Sequence, residues 1–371
     1  MKHASIVKIK LIFSFATVFA VAAGCSAVED NPDEGVSSGA SAGTLSGVLA
    51  GGGASSQTAA QEAWRAGFQA ANLDVTVDYD PTGSGTGRTN FADGGYAFAG
   101  TDAPFTAAEA AGSFATCASG SGLVEIPAYI SPIAVAFNLD GVDSLRLDAV
   151  VIADIFAGRL TSWNDPAIAA LNPGANLPDT AITPVHRSDK SGTTENFTDY
   201  LVQTAPTAWT FAAAEAWPAE LKGEAAEKTQ GVRQTIAATA GAIGYLDASQ
   251  ASGLGTAELK VGDGYVAYSP EAAAAAVGKS SLEAGRAAFD VVVDIDRTLS
   301  DGDVYPLVLV SYLVACERYA DPAAGSLAKA YLEYVISAEG QQAAAEHAGS
   351  APITADPALA PKAAAAVAAI A

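Results

Sequence analysis

A short segment in the middle of the chain, HRSDKSGTTENF, which begins at residue 186, combines side chains that can bind an anion. Arg187 offers a planar fork of N–H donors that matches the geometry of oxyanions. Ser191, Gly192 and Thr193 are typical of a helix start, where unpaired N–H groups and the helix dipole attract negative charge. The segment therefore predicts one wall of a small-anion site.

Three earlier loops have the same character: GGGASSQ with Ser55 and Ser56, TGSGTG with Ser84, and GTDAPF with Asp102. Each places small hydroxyl residues and glycines where a strand ends and a helix begins. Taken singly, such residues are ordinary caps and turns. Four such loops, one of them carrying an arginine, indicate a composite oxyanion site built from several helix N-termini.

The elements that must position these loops alternate between strand and helix from about residue 43 onward. This alternation predicts α/β architecture, and VEIPAYISPIAVAFNL reads as one or two buried strands that cross the molecule. A length of 371 residues favours two lobes over one.

Composition and missing motifs exclude several function classes. A net charge of −22 argues against nucleic-acid binding through a general electrostatic footprint. Only His186 and His347 follow the N-terminal segment, so we expect no histidine-rich metal site and no cofactor. Gly-x-Ser-x-Gly occurs only in the acidic N-terminal segment, without the strand–turn–helix context of a nucleophile elbow.

The N-terminus reads as an export signal. Residues 1–24 combine three lysines with an apolar run too short for a comfortable membrane span. The cysteine in VAAGC, Cys25, resembles the lipidated cysteine of a bacterial lipobox, and the alternative is an ordinary signal peptidase site. Residues 25–42 are acidic and rich in Ser and Gly, which predicts a flexible tether. Cys117 and Cys316 either form a disulfide outside the cytoplasm or are two buried thiols.

Seven motifs, GGGASS, GSGTG, TDAPF, SWNDPAI, LNPG, RSDKSGT and GAIGYLD, resemble motifs of the phosphate-binding protein of the high-affinity phosphate ABC transporter. The resemblance runs from about residue 43 to 355. It implies a type II periplasmic-binding-protein fold, a two-lobed Venus flytrap with a ligand cleft between the lobes. We expect lobe I to comprise 43–132 and 310–371, and lobe II to comprise 133–309.

The resemblance also implies which residues bind inorganic phosphate: Ser55, Ser56, Ser84, Asp102, Arg187, Ser191, Gly192 and Thr193. Ser56 stands where the family commonly has phenylalanine, so only its backbone N–H is expected to serve. Asp189 reads as the residue that orients Arg187, and a solvated loop acid is the alternative. Asp102 can favour phosphate over sulfate, because phosphate keeps a proton to donate to the carboxylate.

Three function classes follow. The first is a lipid-anchored receptor on the extracytoplasmic face of the cell membrane that delivers phosphate to ABC transporter permease subunits, with no catalytic residue. The second is a secreted phosphatase that uses Ser191 or Ser55 as its nucleophile, for which no base or metal site is evident. The third is a phosphate-responsive surface sensor or adhesin on the same fold.

Overall fold

The computed structural model describes residues 45–371. The predicted signal peptide, the tether and Cys25 lie outside the described residues. Within 45–371 the strands are β1 Gly47–Gly53, β2 Val75–Asp80, β3 Phe98–Thr101, β4 Leu123–Phe137, β5 Ser144–Leu147, β6 Thr183–Arg187, β7 Glu224–Ala226, β8 Ala242–Asp247, β9 Gly255–Val261, β10 Gly264–Val266, β11 Ser281–Leu282, β12 Val293–Asp294 and β13 Val308–Cys316. The helices are α1 Thr58–Ala71, α2 Ser84–Ala92, α3 Ala107–Ala110, α4 Ala149–Phe156, α5 Pro166–Leu171, α6 Gly192–Thr204, α7 Lys228–Ala238, α8 Pro270–Gly278, α9 Pro322–Ile336, α10 Ala338–Ala348 and α11 Leu359–Ala368.

One part of the main sheet, with strand order β2–β1–β3–β13–β4, forms the first lobe. β1 is parallel to β2 and β3, whereas β13 is antiparallel to β3 and β4. Parallel neighbours need a crossover connection, which α1 and α2 supply. α1 packs through Ala60, Trp64 and Phe68, which are buried and spaced four residues apart.

The second lobe continues the sheet as β4–β8–β6–β7, with β9, β5 and β10 paired beside it. β6 is parallel to both β7 and β8. The turn that follows its carboxyl end leads into α6. The buried face of α6 includes Phe197, Tyr200 and Leu201.

β4 joins the two lobes. Residues 123–132 of this strand pair with β13, and residues 133–137 pair with β8. All 15 residues of β4 are buried, as expected for a strand that crosses the molecule. Its pairing partner changes between Pro132 and Ile133. The residue boundaries of the lobes stay a prediction.

A disulfide ties the end of β13 to the segment before β4. Cys117 and Cys316 are bonded, with 5.4 Å between their Cα atoms and 199 residues between them in sequence. Both cysteines therefore belong to the first lobe. Among residues 45–371 no helix is both long enough and apolar enough to cross a membrane.

Candidate functional site

The residues expected to bind the anion lie where strands end at the boundary between the lobes. Ser55 and Ser56 form a short 3-10 turn between β1 and α1, and Ser84 is the first residue of α2. Asp102 directly follows β3. All four side chains are buried. Parallel strands present their carboxyl ends at one edge of a sheet, so three separate loops reach one point.

Asp102 is the centre of a hydroxyl cluster. Its Oδ1 accepts hydrogen bonds from Ser56 Oγ at 2.7 Å and Ser311 Oγ at 2.5 Å. Its Oδ2 accepts from Ser56 Oγ at 2.8 Å and from Thr193 Oγ1 at 2.9 Å. Burial raises the pKa of Asp102, whereas these three hydroxyls and the charge of Arg187 act to lower it. Thr193 belongs to the second lobe, so this carboxylate bridges the two lobes.

The hydroxyl of Ser56 departs from the expectation drawn from the sequence. The family resemblance assigns this position a backbone role, because phenylalanine is usual there. In the structure the Ser56 side chain contacts both oxygens of Asp102. A phenylalanine has no such donor, so Ser56 gives this chain one additional hydroxyl on the carboxylate.

Arg187 lies at the end of β6 and is only 3% exposed. Its Nε donates to Asp189 Oδ1 at 2.7 Å, and its Nη2 contacts Asp189 Oδ2. Lys228 N also donates to Asp189 Oδ1, at 3.0 Å. Partial burial acts to raise the pKa of Asp189, but the Arg187 partner and the backbone donors hold it below its ordinary value. Asp189 therefore fixes the guanidinium, as its proposed orienting role requires.

The start of α6 meets the Asp102 loop closely. Ser191 is the N-cap residue, and its Oγ accepts a hydrogen bond from Thr194 N at 3.3 Å. A Cβ atom on Gly192 would lie 2.4 Å from Ala103 N, so a larger residue would push the two lobes apart. Glycine at this position allows the N-terminus of a 13-residue helix to face Asp102.

A second contact between the lobes involves Ser55. Its Oγ lies 3.0 Å from Thr229 Oγ1 and accepts a hydrogen bond from Thr229 N at 3.1 Å. Thr229 is in the first turn of α7. The structure therefore brings all eight expected binding residues, and Asp189, to one interface between the lobes.

Four supporting residues were not predicted: Ser311, Thr229, Asn196 and Arg297. Ser311 is the polar residue inside the apolar strand VLVSYLVAC, and this contrast was a signal that could have identified it. The β13–β4 register shifts between Ser311 and Tyr312, and such irregularities redirect side chains. Asn196 Nδ2 donates to the backbone O of Asp102 at 2.9 Å. Arg297 Nη2 donates to Asn196 Oδ1 at 2.6 Å, and no sequence pattern indicated that contact.

The described residues, 45–371, contain no group of three or more His, Cys, Asp or Glu side chains placed to hold a metal ion. The residues expected to bind the anion offer hydroxyls, backbone N–H groups, the Arg187 guanidinium and the buried Asp102 carboxylate. Such a set can enclose a small oxyanion that carries a proton.

Comparisons with known proteins give the same picture. A family model described as a PBP superfamily domain matches residues 37–339. Phosphate-binding protein PstS2 of Mycobacterium bovis is 35% identical over 269 residues, which cover 70% of this chain and 71% of that protein. Phosphate-binding protein PstS 3 of Mycobacterium tuberculosis is 35% identical over 278 residues, which cover 73% and 74% of the two chains.

Among solved structures, the periplasmic phosphate-binding protein PfluDING, bound with phosphate, aligns with a TM-score of 0.70 at 20% identity. The alignment covers 87% of this chain and 93% of that one. This structural likeness confirms the two-lobed, type II binding-protein fold that the sequence predicts.

Proposed function

We propose that this chain, which belongs to the PBP superfamily and, within it, to the family of PstS phosphate-binding proteins, captures inorganic phosphate outside the cytoplasm and delivers it to an ABC transporter permease. One observation supports the proposal: a buried carboxylate, a buried arginine and several helix starts lie together between the two lobes.

Arg187 supplies the cationic side of the proposed seat. A guanidinium has five N–H donors. Asp189 accepts from two of the Arg187 nitrogens and leaves the Nη1 edge for a ligand. Two parallel hydrogen bonds from one guanidinium fit the spacing of phosphate oxygens. Backbone N–H groups at the start of α6 add donors that carry no full charge.

Asp102 supplies the selective side. A carboxylate beside an anion is repulsive unless the anion donates a proton to it. Monobasic and dibasic phosphate both have that proton, and sulfate at neutral pH does not. We expect Thr193 to turn its hydroxyl from Asp102 Oδ2 to the bound phosphate, which frees that oxygen for the proton of the ligand.

Binding without catalysis is part of the proposal. Ser191 Oγ is occupied as the helix cap, and Ser55 Oγ is paired with Thr229. His186 stacks on Trp217, with 5.0 Å between ring centroids, and its Nδ1 lies 3.0 Å from its neighbour's carbonyl oxygen. His347 is exposed, and its Nε2 lies 3.6 Å from Glu62 Oε2. Neither histidine is placed as a base for a serine nucleophile.

The proposed location and partners extend beyond the described residues. The lysine-rich start, the apolar run and Cys25 support export and a lipid anchor at the extracytoplasmic face of the cell membrane. Such an anchor keeps a receptor close to permease subunits in the same membrane. The acidic net charge argues against nucleic acid as a partner.

Calorimetric titration of the purified protein with phosphate, arsenate and sulfate tests the proposal. We expect phosphate to bind at one site per chain, arsenate to compete with it, and sulfate to bind far more weakly. Incubation with p-nitrophenyl phosphate should release no nitrophenol. Equal binding of sulfate and phosphate, or steady release of nitrophenol, would contradict the proposed function.

A further inference from the structure

An ion pair spans the two lobes beside the proposed phosphate seat. Arg88 on α2 belongs to the first lobe, and Glu215 lies between α6 and β7 in the second. The Arg88 Nη2 to Glu215 Oε2 distance is 2.7 Å, and the Nη1 to Oε1 distance is 3.0 Å. The side chains are 11% and 13% exposed, so water screens this pair far less than a surface pair. The two parallel contacts form the strong bidentate arrangement of arginine with carboxylate.

On the first lobe, Arg88 holds both neighbours of Asp102. Its Nη1 donates to Thr101 Oγ1 at 3.1 Å and to the backbone O of Ala103 at 2.8 Å. The guanidinium carbon lies 5.5 Å from the centre of the Phe105 ring, within range of a cation–π contact. The loop that presents Asp102 is therefore fixed by the same side chain that reaches the other lobe.

On the second lobe, the Glu215 segment is attached to the start of α6. The backbone O of Glu215 accepts a hydrogen bond from Ser191 N at 3.0 Å. The preceding residue, Ala214, donates its N–H to Thr198 Oγ1 at 3.1 Å. When Arg88 meets Glu215, the Asp102 loop is joined through two side chains to the cap of α6.

We propose that the Arg88–Glu215 pair is a clasp that keeps the lobes closed and sets the rate at which phosphate leaves. This inference rests on the proposed phosphate-binding function. A two-lobed receptor must separate its lobes to release a buried ligand, and separation would pull the two charges out of contact. Loss of a buried, hydrogen-bonded charge pair acts mainly on the dissociation rate, whereas loss of an exposed charge at the rim acts mainly on association.

Release of radiolabelled phosphate from Glu215→Gln tests the clasp. The substitution keeps the shape of the side chain and removes its charge. After dilution into excess unlabelled phosphate, we expect release about tenfold faster than in wild type, with a much smaller change in association rate. The matched control is Glu258→Gln, which removes the negative charge from an exposed ion pair. In that pair Arg146 Nε lies 3.3 Å from Glu258 Oε2, and the two side chains are 53% and 35% exposed. The control should release phosphate at the wild-type rate.

A double-mutant cycle with Arg88→Gln separates the clasp from a purely structural role of Arg88. The single change also disturbs Thr101 and Ala103, so its own effect is not diagnostic. If the pair is the clasp, Glu215→Gln should accelerate release much less in the Arg88→Gln background than in wild type. Equal acceleration in both backgrounds, or a wild-type release rate in Glu215→Gln, would overturn the inference.

Amide hydrogen exchange measured without phosphate tests the clasp independently of ligand binding. We expect Glu215→Gln to speed amide exchange in residues 188–194 and 101–105, because the lobes open more often, and to leave exchange in β9 unchanged. Failure of wild type to bind phosphate would overturn the proposed function, whereas unchanged exchange in both cleft segments would overturn the clasp.

Discussion

Replacement of Asp102 by asparagine is the sharpest perturbation of the proposed seat. The side chain is 3% exposed and accepts hydrogen bonds from Ser56, Ser311 and Thr193. Asparagine has nearly the same shape and keeps one oxygen for Ser56 and Ser311. Its amide nitrogen would replace Oδ2, which faces the second lobe. The change therefore converts an acceptor into a donor with little change in volume.

The expected magnitude follows from what each ligand meets in the seat. With wild type, sulfate would place an acceptor against the buried carboxylate, and a site built around one hydrogen bond rejects an analogue lacking it by about 10⁴-fold. With Asp102→Asn, the amide donates to a sulfate oxygen. We expect the ratio of sulfate to phosphate dissociation constants to fall by about 100-fold, or about 3 kcal/mol. Phosphate should weaken by about tenfold at most, since one hydrogen bond contributes about 1 kcal/mol net.

Competition calorimetry on wild type and variant measures both constants under one set of conditions. Asp247→Asn is the matched control, because Asp247 is also a buried carboxylate that accepts from hydroxyl and backbone donors, Tyr129 OH and Ser249 N. The control should keep the wild-type preference for phosphate. If Asp102→Asn binds phosphate and still rejects sulfate as strongly as wild type, the selective role of Asp102 is refuted.

Three further predictions concern the arginine, a buried acid and the anchor. Arg187→Ala should weaken phosphate binding by about 2–5 kcal/mol, because a buried charge partner is lost; an unchanged dissociation constant in calorimetry would remove Arg187 from the seat. Burial raises the pKa of Asp247 from 3.8 to about 6. The folded state therefore binds the proton more tightly than the unfolded state does. As pH rises from about 4 to about 7, wild type should lose about 3 kcal/mol more unfolding free energy than Asp247→Asn does. Urea unfolding across this range checks that difference, which parallel pH profiles of the two proteins would contradict. Cys25→Ala should move the protein from the membrane to the soluble fraction, because the acyl chains that would anchor it attach at this cysteine. A wild-type protein that is already in the soluble fraction would refute lipidation.

The pattern of apolar strands and capped helices made much of the fold predictable. The 15 buried residues of β4 and the apolar face of α6 are direct readings of local sequence. Thr106 shows the same for helix starts, because its side chain and that of Glu109, three residues later, form a capping box. These features depend on residues close together in the chain, so they can be predicted from the local sequence.

Contacts between distant segments were harder to predict. Ser311 reaches Asp102 from a strand 209 residues away, at a register shift that only the pairing of β13 with β4 defines. Arg297 reaches Asn196 across 101 residues, and its own sequence context resembles an ordinary surface loop. Residues of this kind support the site through the fold, so their role becomes visible only after the lobes are assembled.

The charges of the proposed seat explain why hydrogen-bond geometry must decide what binds. Arg187 is the cation at the centre, and Asp189 already neutralises much of its charge through two contacts. Asp102 adds a negative charge, and the whole chain carries −22. A dianion therefore gains little from general Coulomb attraction and must be held by directed donors from hydroxyls and helix starts. These fixed donors bind the oxygens of either anion, and the buried acceptor Asp102 distinguishes phosphate by its proton, whereas a cluster of lysines would attract sulfate and phosphate alike.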